Sequence, residues 1–415
     1  MGYLLDYSQN FLTYGSFTNV KQFGAQGNGT TDDTAAIQSA LNSGGTIYFP
    51  PGTYLITSGL TATNVNIVGA GANVSVINAN ITSGTALTLS STTYQTLQNI
   101  GLQGTNTTLD SSNTSIGLLI QGSGNGTAPE SLSEFMSSLY NVSIYNFGTA
   151  FELGNNAWAN KFYNCGFASS NVGINLAGGT NNGEDIAFFG CTIYNNITGV
   201  LQSINYAFDY YFHSCSFDYN QQYLLYSANN FIKSVNFISC HFEMNPPTNN
   251  IIAPIYITTP NYAAVYILGG TFNPQGTWTS TNAFIETSAG VDGKIEGLAE
   301  NYSSTISLGG FIYNGTDYFA KPTGGIQGLF SFTFNNGQMG YTEATVGSSP
   351  FTFQNNQIGY GGQNNEQVLI VGGVITEITL NGTSLNTSTS SLILTPNDTL
   401  IITYTTAPTI YYTYI

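Results

Sequence analysis

The sequence predicts an all-β chain that forms a parallel β-solenoid followed by a small β-sandwich. Short runs of β-branched and aromatic residues alternate with Gly, Asn, Ser and Thr along nearly the whole chain. Four cysteines recur at spacings of 26, 24 and 25 residues. A repeat of about 25 residues that contains no helix is typical of a solenoid in which each repeat forms one coil stacked on the previous coil.

The composition excludes several classes of function. The chain of 415 residues has 21 Asp and Glu against 5 basic residues, all of them Lys, and a formal net charge of −16. Nucleic-acid binding needs a basic surface, so we expect no nucleic-acid partner. No apolar run is long enough to cross a bilayer, so we expect no membrane span. The first residues lack the basic and apolar regions of a secretory signal, and none is expected.

One helix is predicted near the start of the chain. Thr31 is the expected N-cap, and Asp32 and Asp33 suit the positive end of the helix dipole. The glycine pair at 44–45 is expected to end the helix. Its predicted apolar face consists of Ala36, Ile37, Ala40 and Leu41.

The cysteines predict an interior column. Each lies in a block that reads polar, small apolar, polar, large apolar, as in Asn164-Cys165-Gly166-Phe167. Side chains alternate between the two faces of a strand, so the small and large apolar residues point inward. We expect stacked thiols, while disulfides between neighbouring coils are geometrically conceivable and a convergent metal cluster is not expected. The four residues are Cys165, Cys191, Cys215 and Cys240.

Two segments carry a resemblance to a known family. They read Val20-Lys-Gln-Phe-Gly-Ala-Gln-Gly-Asn-Gly-Thr-Thr-Asp-Asp and Gly44-Gly-Thr-Ile-Tyr-Phe-Pro-Pro-Gly-Thr-Tyr. This pattern resembles the opening of right-handed parallel β-helix proteins of the pectate-lyase-like superfamily, which includes viral tailspikes, polysaccharide depolymerases and plant-wall pectinases. The resemblance implies a right-handed, single-stranded parallel β-helix with an N-terminal capping helix. It also implies that Asp32 and Asp33 serve the helix end rather than catalysis.

The chain is expected to divide into four parts. Residues 1–19 form an N-terminal attachment segment, 20–320 the parallel β-helix and 321–340 a linker. Residues 341–415 form the small C-terminal β-sandwich, because strand and turn signals recur there about every 8–12 residues. The resemblance to viral fibre proteins implies that this last part serves oligomerisation or receptor contact.

Alignment of the repeats on the cysteines places acidic residues in columns. Asp185 and Asp209 lie six residues before consecutive cysteines, and Asp218 and Glu243 lie three residues after. Coils stack about 4.8 Å apart, so each pair should bring two carboxylates together, raise one pKa and provide a general acid. Both pairs are expected to point outward. A merely solvated pair and a cation-binding pair remain alternatives, although no cofactor and no metal site are predicted.

Aromatic rings beside amide side chains predict sugar contacts. The predicted glycan-binding residues are Tyr210, Tyr211, Tyr219 and His241. The alternative is that outward aromatic residues pack the subunits of a homotrimer. His213 is predicted to point inward, in one column with Tyr163, Phe189 and Ile238.

Asn-x-Ser/Thr sequons predict glycosylation, although a chain rich in Asn and Thr also produces them by chance. They begin at Asn28, Asn73, Asn80, Asn106, Asn113, Asn125, Asn141, Asn196, Asn301, Asn314, Asn381, Asn386 and Asn397.

These observations together predict a virion surface tailspike or fibre protein that binds a host-surface glycan or glycoprotein. It would form a homotrimer and contact other virion tail proteins through its N-terminus. An extracellular composition without an export signal fits a virion protein, and a processed secreted protein fits as well. The first alternative is a glycoside hydrolase (depolymerase) acting on a neutral host-surface polysaccharide, and the second is a cellular surface protein or adhesin. Pectate lyase and polygalacturonase activity are not expected, because the chain lacks the arginine base and the signatures of those enzymes.

Overall fold

The computed structural model shows an all-β solenoid, as predicted. It describes residues 17–91, 94–122, 134–135, 137–178, 183–203, 209–227, 234–244, 254–257, 263–274, 285–287, 291–296, 299–300, 311–313, 316–318, 331–334, 342–354, 366–389, 391–395 and 397–414. Strands of successive coils pair in parallel register and form three ladders. In the described residues, no helix has the length and apolar character needed to cross a bilayer.

The three ladders share one direction of stacking, and two long strands contribute to both the first and the second ladder. The first contains Phe17–Asn19, Gly45–Phe49, Val65–Gly69, Thr96–Gln103, Ser138–Tyr145, Lys161–Tyr163, Ile186–Phe189, Asp209–His213, Ser234–Ile238, Ala263–Leu268 and Val291–Glu296. The second contains Asn28–Asp32, Gly52–Ile56, Ser75–Ala79, Thr96–Gln103, Ser138–Tyr145, Gly166–Ala168, Thr192–Tyr194, Ser216–Asp218, His241–Met244, Thr271–Pro274 and Ala299–Glu300. The third contains Leu60–Thr63, Ser83–Ser91, Thr114–Gly122, Thr149–Leu153, Val172–Leu176, Thr198–Gln202, Tyr223–Ser227, Ile255–Ile257, Ile285–Thr287 and Phe311–Tyr313.

A few short strands form a separate pair or add to the ladders at their ends. Glu134–Phe135 pairs in parallel with Ala157–Trp158. Thr316–Tyr318 pairs antiparallel with Phe311–Tyr313, and Ser331–Phe334 pairs antiparallel with Val291–Glu296. The predicted linker at 321–340 therefore includes a strand of the first ladder, and the domain boundaries stay predictions.

The chain bends between the first and second ladders at one residue with left-handed backbone geometry. The φ angles at this position run from 51° to 60° in six coils. Asn and Gly adopt this geometry most easily, which explains why they recur between strands. The bend residues are Asn99, Asn141, Asn164, Gly190, Ser214 and Ser239.

The interior is filled by columns of identical or similar side chains. The rings of Phe162, Phe188 and Phe212 stack with centroids 4.5 and 4.8 Å apart. The four cysteines are free thiols, each no more than 2% exposed, and the Cys165 amide lies 3.4 Å from the Cys191 Sγ. The predicted interior column of thiols is confirmed.

The N-terminal helix begins later than the sequence predicts. A 3-10 helix spans Val20–Phe23 and the α-helix spans Thr34–Leu41. Thr31 is not the N-cap, because it lies in the strand Asn28–Asp32 and its hydroxyl accepts a hydrogen bond from Asn28. Asp33 precedes the helix, and its carboxylate accepts the backbone N–H groups of residues 26 and 27.

The predicted apolar face of this helix is confirmed. Ile37, Ala40 and Leu41 are buried in the solenoid core, and Ala36 packs against it. The Gln38 side chain also bonds to the backbone of Thr61, which begins the third ladder region. The role of the helix as a solenoid cap stays a prediction.

The C-terminal residues form two four-stranded antiparallel sheets. The first consists of Thr342–Ala344, Thr409–Tyr414, Glu366–Val371 and Ser391–Leu394, and the second of Phe351–Gln354, Thr399–Thr406, Val374–Leu380 and Thr383–Leu385. Buried residues from both sheets form one apolar cluster that includes Val368, Ile370, Ile378 and Ile402. Two sheets that share a core are what the predicted sandwich requires.

Candidate functional site

A polar cluster lies on the outer face of the second ladder. The strands Ser216–Asp218 and His241–Met244 pair in register, with Ser216 opposite His241 and Asp218 opposite Glu243. Because side chains alternate, Phe217 and Phe242 point into the core and the residues beside them point out. We call Asp218, His241 and Glu243 the Asp–His–Glu cluster.

The three side chains of the cluster converge at short range. His241 Nε2 lies 3.8 Å from Asp218 Oδ1 and 3.5 Å from Glu243 Oε2. One ligand atom from each of the three residues lies within 4.8 Å of the other two. The side chains remain 23%, 39% and 21% exposed for Asp218, His241 and Glu243, so a molecule from solvent can reach them.

Each member of the Asp–His–Glu cluster contacts a neighbouring hydroxyl group. Ser216 Oγ lies 2.8 and 3.0 Å from the two carboxylate oxygens of Asp218. The Tyr219 hydroxyl donates a hydrogen bond to Glu243 Oε1, and His241 Nδ1 lies 2.6 Å from Thr271 Oγ1. The carboxylates and the imidazole are therefore oriented before any ligand arrives.

Tyr219 has an unusual backbone conformation for its size. Its φ is 52°, in the left-handed region that bulky side chains rarely adopt. The same position in earlier coils is occupied by Asn146, Ser169 and Asn195. Strain of this kind is often found at functional positions, and here it places the Tyr219 ring beside Glu243.

The two carboxyl groups of the cluster have different proton affinities. Burial raises the pKa of Asp218, and the neighbouring Glu243 charge adds to this effect. The hydrogen bond from Tyr219 lowers the pKa of Glu243, and His241 contributes in the same direction. A carboxyl pair with pKa values driven apart provides an acid and a base at the same pH.

The second predicted pair is arranged differently. Ile186 is opposite Tyr210, so Asp185 and Asp209 occupy equivalent positions of consecutive coils. Asp185 Oδ1 lies 2.7 Å from Lys161 Nζ on the coil before it. Asp209 Oδ1 accepts a hydrogen bond of 2.9 Å from the Ser234 hydroxyl on the coil after it. Asp185 therefore has its partner on the preceding coil and Asp209 on the following coil. The catalytic role of this pair stays a prediction.

Of the four predicted glycan-binding residues, three lie on the surface. Tyr219 is 46% exposed, and His241 and Tyr211 are half-buried and point outward. Tyr210 does not, because it is fully buried and its hydroxyl lies 3.1 Å from Gln202 Oε1. The prediction for Tyr210 was wrong, because it occupies an inward position of the strand Asp209–His213.

His213 points outward rather than inward. The left-handed bend at Ser214 interrupts the alternation, so positions before the bend cannot be extrapolated from Cys215. We call the outward rings Tyr140, Tyr163, Phe189 and His213 the aromatic strip. Adjacent rings of the strip lie 4.8, 5.0 and 4.8 Å apart and are nearly parallel. The sequence pattern predicts three of these four residues in one column, but the inward direction predicted for that column is wrong.

Three predicted glycosylation sites are buried and cannot carry a glycan in the folded chain. They are Asn106, Asn113 and Asn196, which are 3%, 8% and 0% exposed. Their side chains bond to the backbone or to neighbouring polar side chains. The exposed sequon residues are Asn28, Asn73, Asn80, Asn141, Asn381, Asn386 and Asn397, and Asn125, Asn301 and Asn314 lie outside the described residues.

Comparison with known proteins places the fold in a wider group. Residues 17–222 match the family described as Rhamnogalacturonase A/epimerase, pectate lyase-like. This match ends before His241 and Glu243. The chain is 46% identical over 72 residues to alginate lyase 7 of Azotobacter vinelandii, covering 14% of this chain and 8% of that protein. It is 49% identical over 72 residues to mannuronan C5-epimerase AlgE2 of the same organism, covering 14% and 7%. The chain thus spans less than a tenth of these relatives.

Several solved structures are similar over almost the whole chain. One of them is the full-length tailspike protein 2 from Escherichia coli O157:H7 bacteriophage CAB120, with a TM-score of 0.51 and 14% sequence identity. The similarity covers 96% of this chain and 63% of the tailspike. At this level of identity the likeness shows a shared fold.

Proposed function

We propose that this chain, which belongs to the pectate-lyase-like parallel β-helix proteins, is a virion surface spike or fibre protein that attaches to a glycan of the host cell. The observation that carries glycan contact is the Asp–His–Glu cluster with Tyr219 on the outer face of the second ladder. Carboxylate, imidazole and phenol groups bond well to sugar hydroxyls, and a tyrosine ring packs against the apolar face of a sugar.

The charge of the chain favours a neutral glycan. A formal net charge of −16 repels uronate and sulfated polymers at long range. Two carboxylates at the cluster accept hydrogen bonds from sugar hydroxyls but oppose an anionic group at the same place. We therefore expect neutral host-surface polysaccharides to bind better than acidic ones.

A stacked solenoid suits exposure on a particle. Each coil bonds to the next through three ladders, and this gives a stiff element that can present a side face to a long polymer. The tailspike with the same fold supports the assignment to a virion, as does a surface rich in Asn, Thr and Ser. Contact of residues 1–19 with other tail proteins and assembly into a homotrimer belong to this proposal.

Binding of host-envelope polysaccharide to the full chain tests the proposal. Glu243→Gln and Tyr219→Phe should each weaken binding about tenfold, because the first removes the charge that strengthens hydrogen bonds from sugar hydroxyls and the second removes a hydroxyl group. Asp110→Asn is the matched control, because it removes one negative charge in a loop remote in sequence from the cluster. Equal binding by all four proteins would reject glycan contact at this site.

Localisation tests the virion assignment separately. The protein should be found on purified virus particles by antibody labelling or mass spectrometry. Its absence from particles together with its presence on a cell wall would instead support the cellular adhesin.

The second candidate is a retaining glycoside hydrolase, favoured by the divergent pKa values and short separation of Asp218 and Glu243. Protonated Asp218 would give its proton to the glycosidic oxygen as the C–O bond breaks, while Glu243 attacks the anomeric carbon. Water would then cleave the glycosyl ester and return a proton to Asp218. Carboxyl separations of about 5–5.5 Å are typical of this mechanism.

Release of reducing ends from a neutral polysaccharide separates the hydrolase from a pure binding protein. Asp218→Asn and Glu243→Gln should abolish release if this pair is catalytic. Asp185→Asn and Asp209→Asn should abolish it if the other pair is. Absence of release by the unsubstituted chain would remove the hydrolase candidate and leave glycan attachment intact.

A further inference from the structure

We propose that the Asp–His–Glu cluster binds one divalent metal ion between two consecutive coils of the solenoid. The inference uses only the positions of Asp218, His241, Glu243 and their neighbours, so it does not depend on glycan binding. The sequence predicts no metal site here, although it leaves cation binding by the pair Asp218 and Glu243 as an alternative.

The three ligand atoms form a triangle of a size that a single metal ion can bridge. Two of its sides are 3.8 and 3.5 Å, from His241 Nε2 to Asp218 Oδ1 and Glu243 Oε2, and all ligand atoms lie within 4.8 Å of one another. The centre of the circle through three such atoms lies at most about 2.4 Å from each atom, a distance compatible with metal–oxygen and metal–nitrogen bonds. The contacts from the imidazole are longer than good hydrogen bonds between the same atoms.

Hydroxyl groups also contact the three ligand residues. Thr271 Oγ1 contacts His241 Nδ1, so the remaining nitrogen, Nε2, faces the two carboxylates. When Nδ1 carries the proton, Nε2 presents a lone pair toward those carboxylates. Ser216 and Tyr219 bond to Asp218 and Glu243. Metal ligands are commonly held by such outer hydrogen bonds, which fix their orientation.

The charges of the two carboxylates also favour a bound cation. Asp218 and Glu243 are directly opposite each other on paired strands, an arrangement that is destabilising for like charges. The chain contains no arginine that could bridge them, and its net charge of −16 attracts cations. A divalent ion between the two strands would convert this repulsion into an attraction that links the coils.

The donor set indicates the class of metal. One imidazole nitrogen with two carboxylate oxygens suits Zn²⁺ or Mn²⁺ better than Ca²⁺ or Mg²⁺, which prefer oxygen ligands alone. Three protein ligands leave at least one position open to solvent, consistent with the partial exposure of all three residues. A bound ion would occupy both carboxylates and prevent their use in hydrolysis.

Titration of the chelator-treated full chain with Zn²⁺ tests the proposal. Calorimetry should show one ion bound per chain, and His241→Gln and Asp218→Asn should each weaken binding at least tenfold. Asp110→Asn is the control for loss of one exposed carboxylate, and it should bind Zn²⁺ as the unsubstituted chain does. Equal binding by the His241→Gln and unsubstituted chains, or no saturable binding, would overturn the proposal.

A spectroscopic measurement covers the case in which a substituted chain fails to fold. Co²⁺ bound to the unsubstituted chain should give weak visible bands of nitrogen and oxygen coordination. An intense thiolate charge-transfer band would place the ion at the cysteines, and this result or the absence of visible bands would contradict the proposal. Tyr219→Phe should weaken the binding of Co²⁺ about tenfold by releasing Glu243.

Discussion

Tyr210 and Tyr211 are adjacent in the sequence but face opposite sides of the solenoid wall. Tyr210 is fully buried and bonds to Gln202, whereas Tyr211 is half-buried on the outside with its ring 6.3 Å from His213. Composition and aromatic clustering predicted the same role for both residues. Only the register of the strand Asp209–His213 separates them, because the side chain direction reverses at every residue.

The two tyrosines should therefore respond differently to truncation. Tyr210→Ala should lower the free energy of unfolding by about 3–5 kcal/mol, because it leaves a large cavity and removes a buried hydrogen bond. Tyr211→Ala should lower it by less than about 1 kcal/mol. Denaturant unfolding of the full chain followed by tryptophan fluorescence measures both, and similar losses would contradict the assigned orientations.

Glu152 is a carboxyl group whose ionisation should make the stability of the fold depend on pH. Burial raises its pKa, while a hydrogen bond of 2.9 Å from Asn175 Nδ2 acts in the opposite direction. A carboxyl with a raised folded pKa stabilises the fold below its unfolded pKa and loses that contribution as pH rises through the folded value. Acidification from neutral pH should thus stabilise the chain at this residue.

Glu152→Gln should remove this dependence. Relative to the unsubstituted chain, its melting temperature should be higher at pH 7 and closer to equal near pH 4. Asp110 is the control, because hydrogen bonds from Ser112 lower its pKa. Its effect on stability should therefore change with pH in the opposite direction to that of Glu152. Asp110→Asn should lower the melting temperature at pH 7, and this difference from the unsubstituted chain should become smaller as the pH falls. A Glu152→Gln difference that is constant with pH would refute the burial argument.

Side-chain direction can be counted from a cysteine along the strand that follows it, but not across the bend that precedes it. Asp218 and Glu243 were paired correctly because they lie three residues after their cysteines, on the same side of the bend. His213 was misplaced because the left-handed residue Ser214 separates it from Cys215 and turns the chain. The hydrophobic pattern indicates which side chains alternate within a strand. It does not indicate that the backbone turns at the bend and changes the direction of the side chains before it.

Asparagine side chains also join coils inside the wall. Asn196 Nδ2 bonds to the Phe167 carbonyl and to Asn220 Oδ1, and Asn220 Nδ2 bonds to the Ile193 carbonyl. The sequon at Asn196 predicted a surface glycan, because a sequence motif carries no information on burial. The role of this residue is to satisfy backbone groups at a turn between ladders.

Asn196→Ala should destabilise the solenoid by about 1–3 kcal/mol, because it leaves buried donors and acceptors without partners. Asn73→Ala, at an exposed sequon, should change stability by less than about 0.5 kcal/mol. Thermal denaturation of the two variants under identical conditions makes the comparison. A smaller effect at Asn196 than at Asn73 would contradict an internal role.

For the whole molecule, the repeat and the opening segment predicted the essential architecture. The four thiols mark successive coils, and the family suggested by residues 20–56 is confirmed by the match over 17–222. Convergence of His241 with Asp218 is not predicted by the sequence, since it depends on side-chain orientation across two coils. Subunit contacts could not be predicted either, because one sequence does not distinguish outward residues that bind a partner from those that bind a ligand.

We expect a homotrimer, because outward apolar rings such as the aromatic strip lose solvent contact when solenoids pack side by side. Light scattering on the purified chain should give a mass about three times the 44.2 kDa of one chain. A mass of one chain over the whole accessible concentration range would exclude the trimer.

Glycan attachment through the Asp–His–Glu cluster requires that a host glycan contacts the outer face of the second ladder. A crystal structure of the full chain with an oligosaccharide prepared from the host envelope would show this contact. We expect sugar hydroxyls within hydrogen-bonding distance of Asp218, Tyr219 or Glu243. An oligosaccharide bound only at the C-terminal sheets, with these side chains untouched, would contradict it.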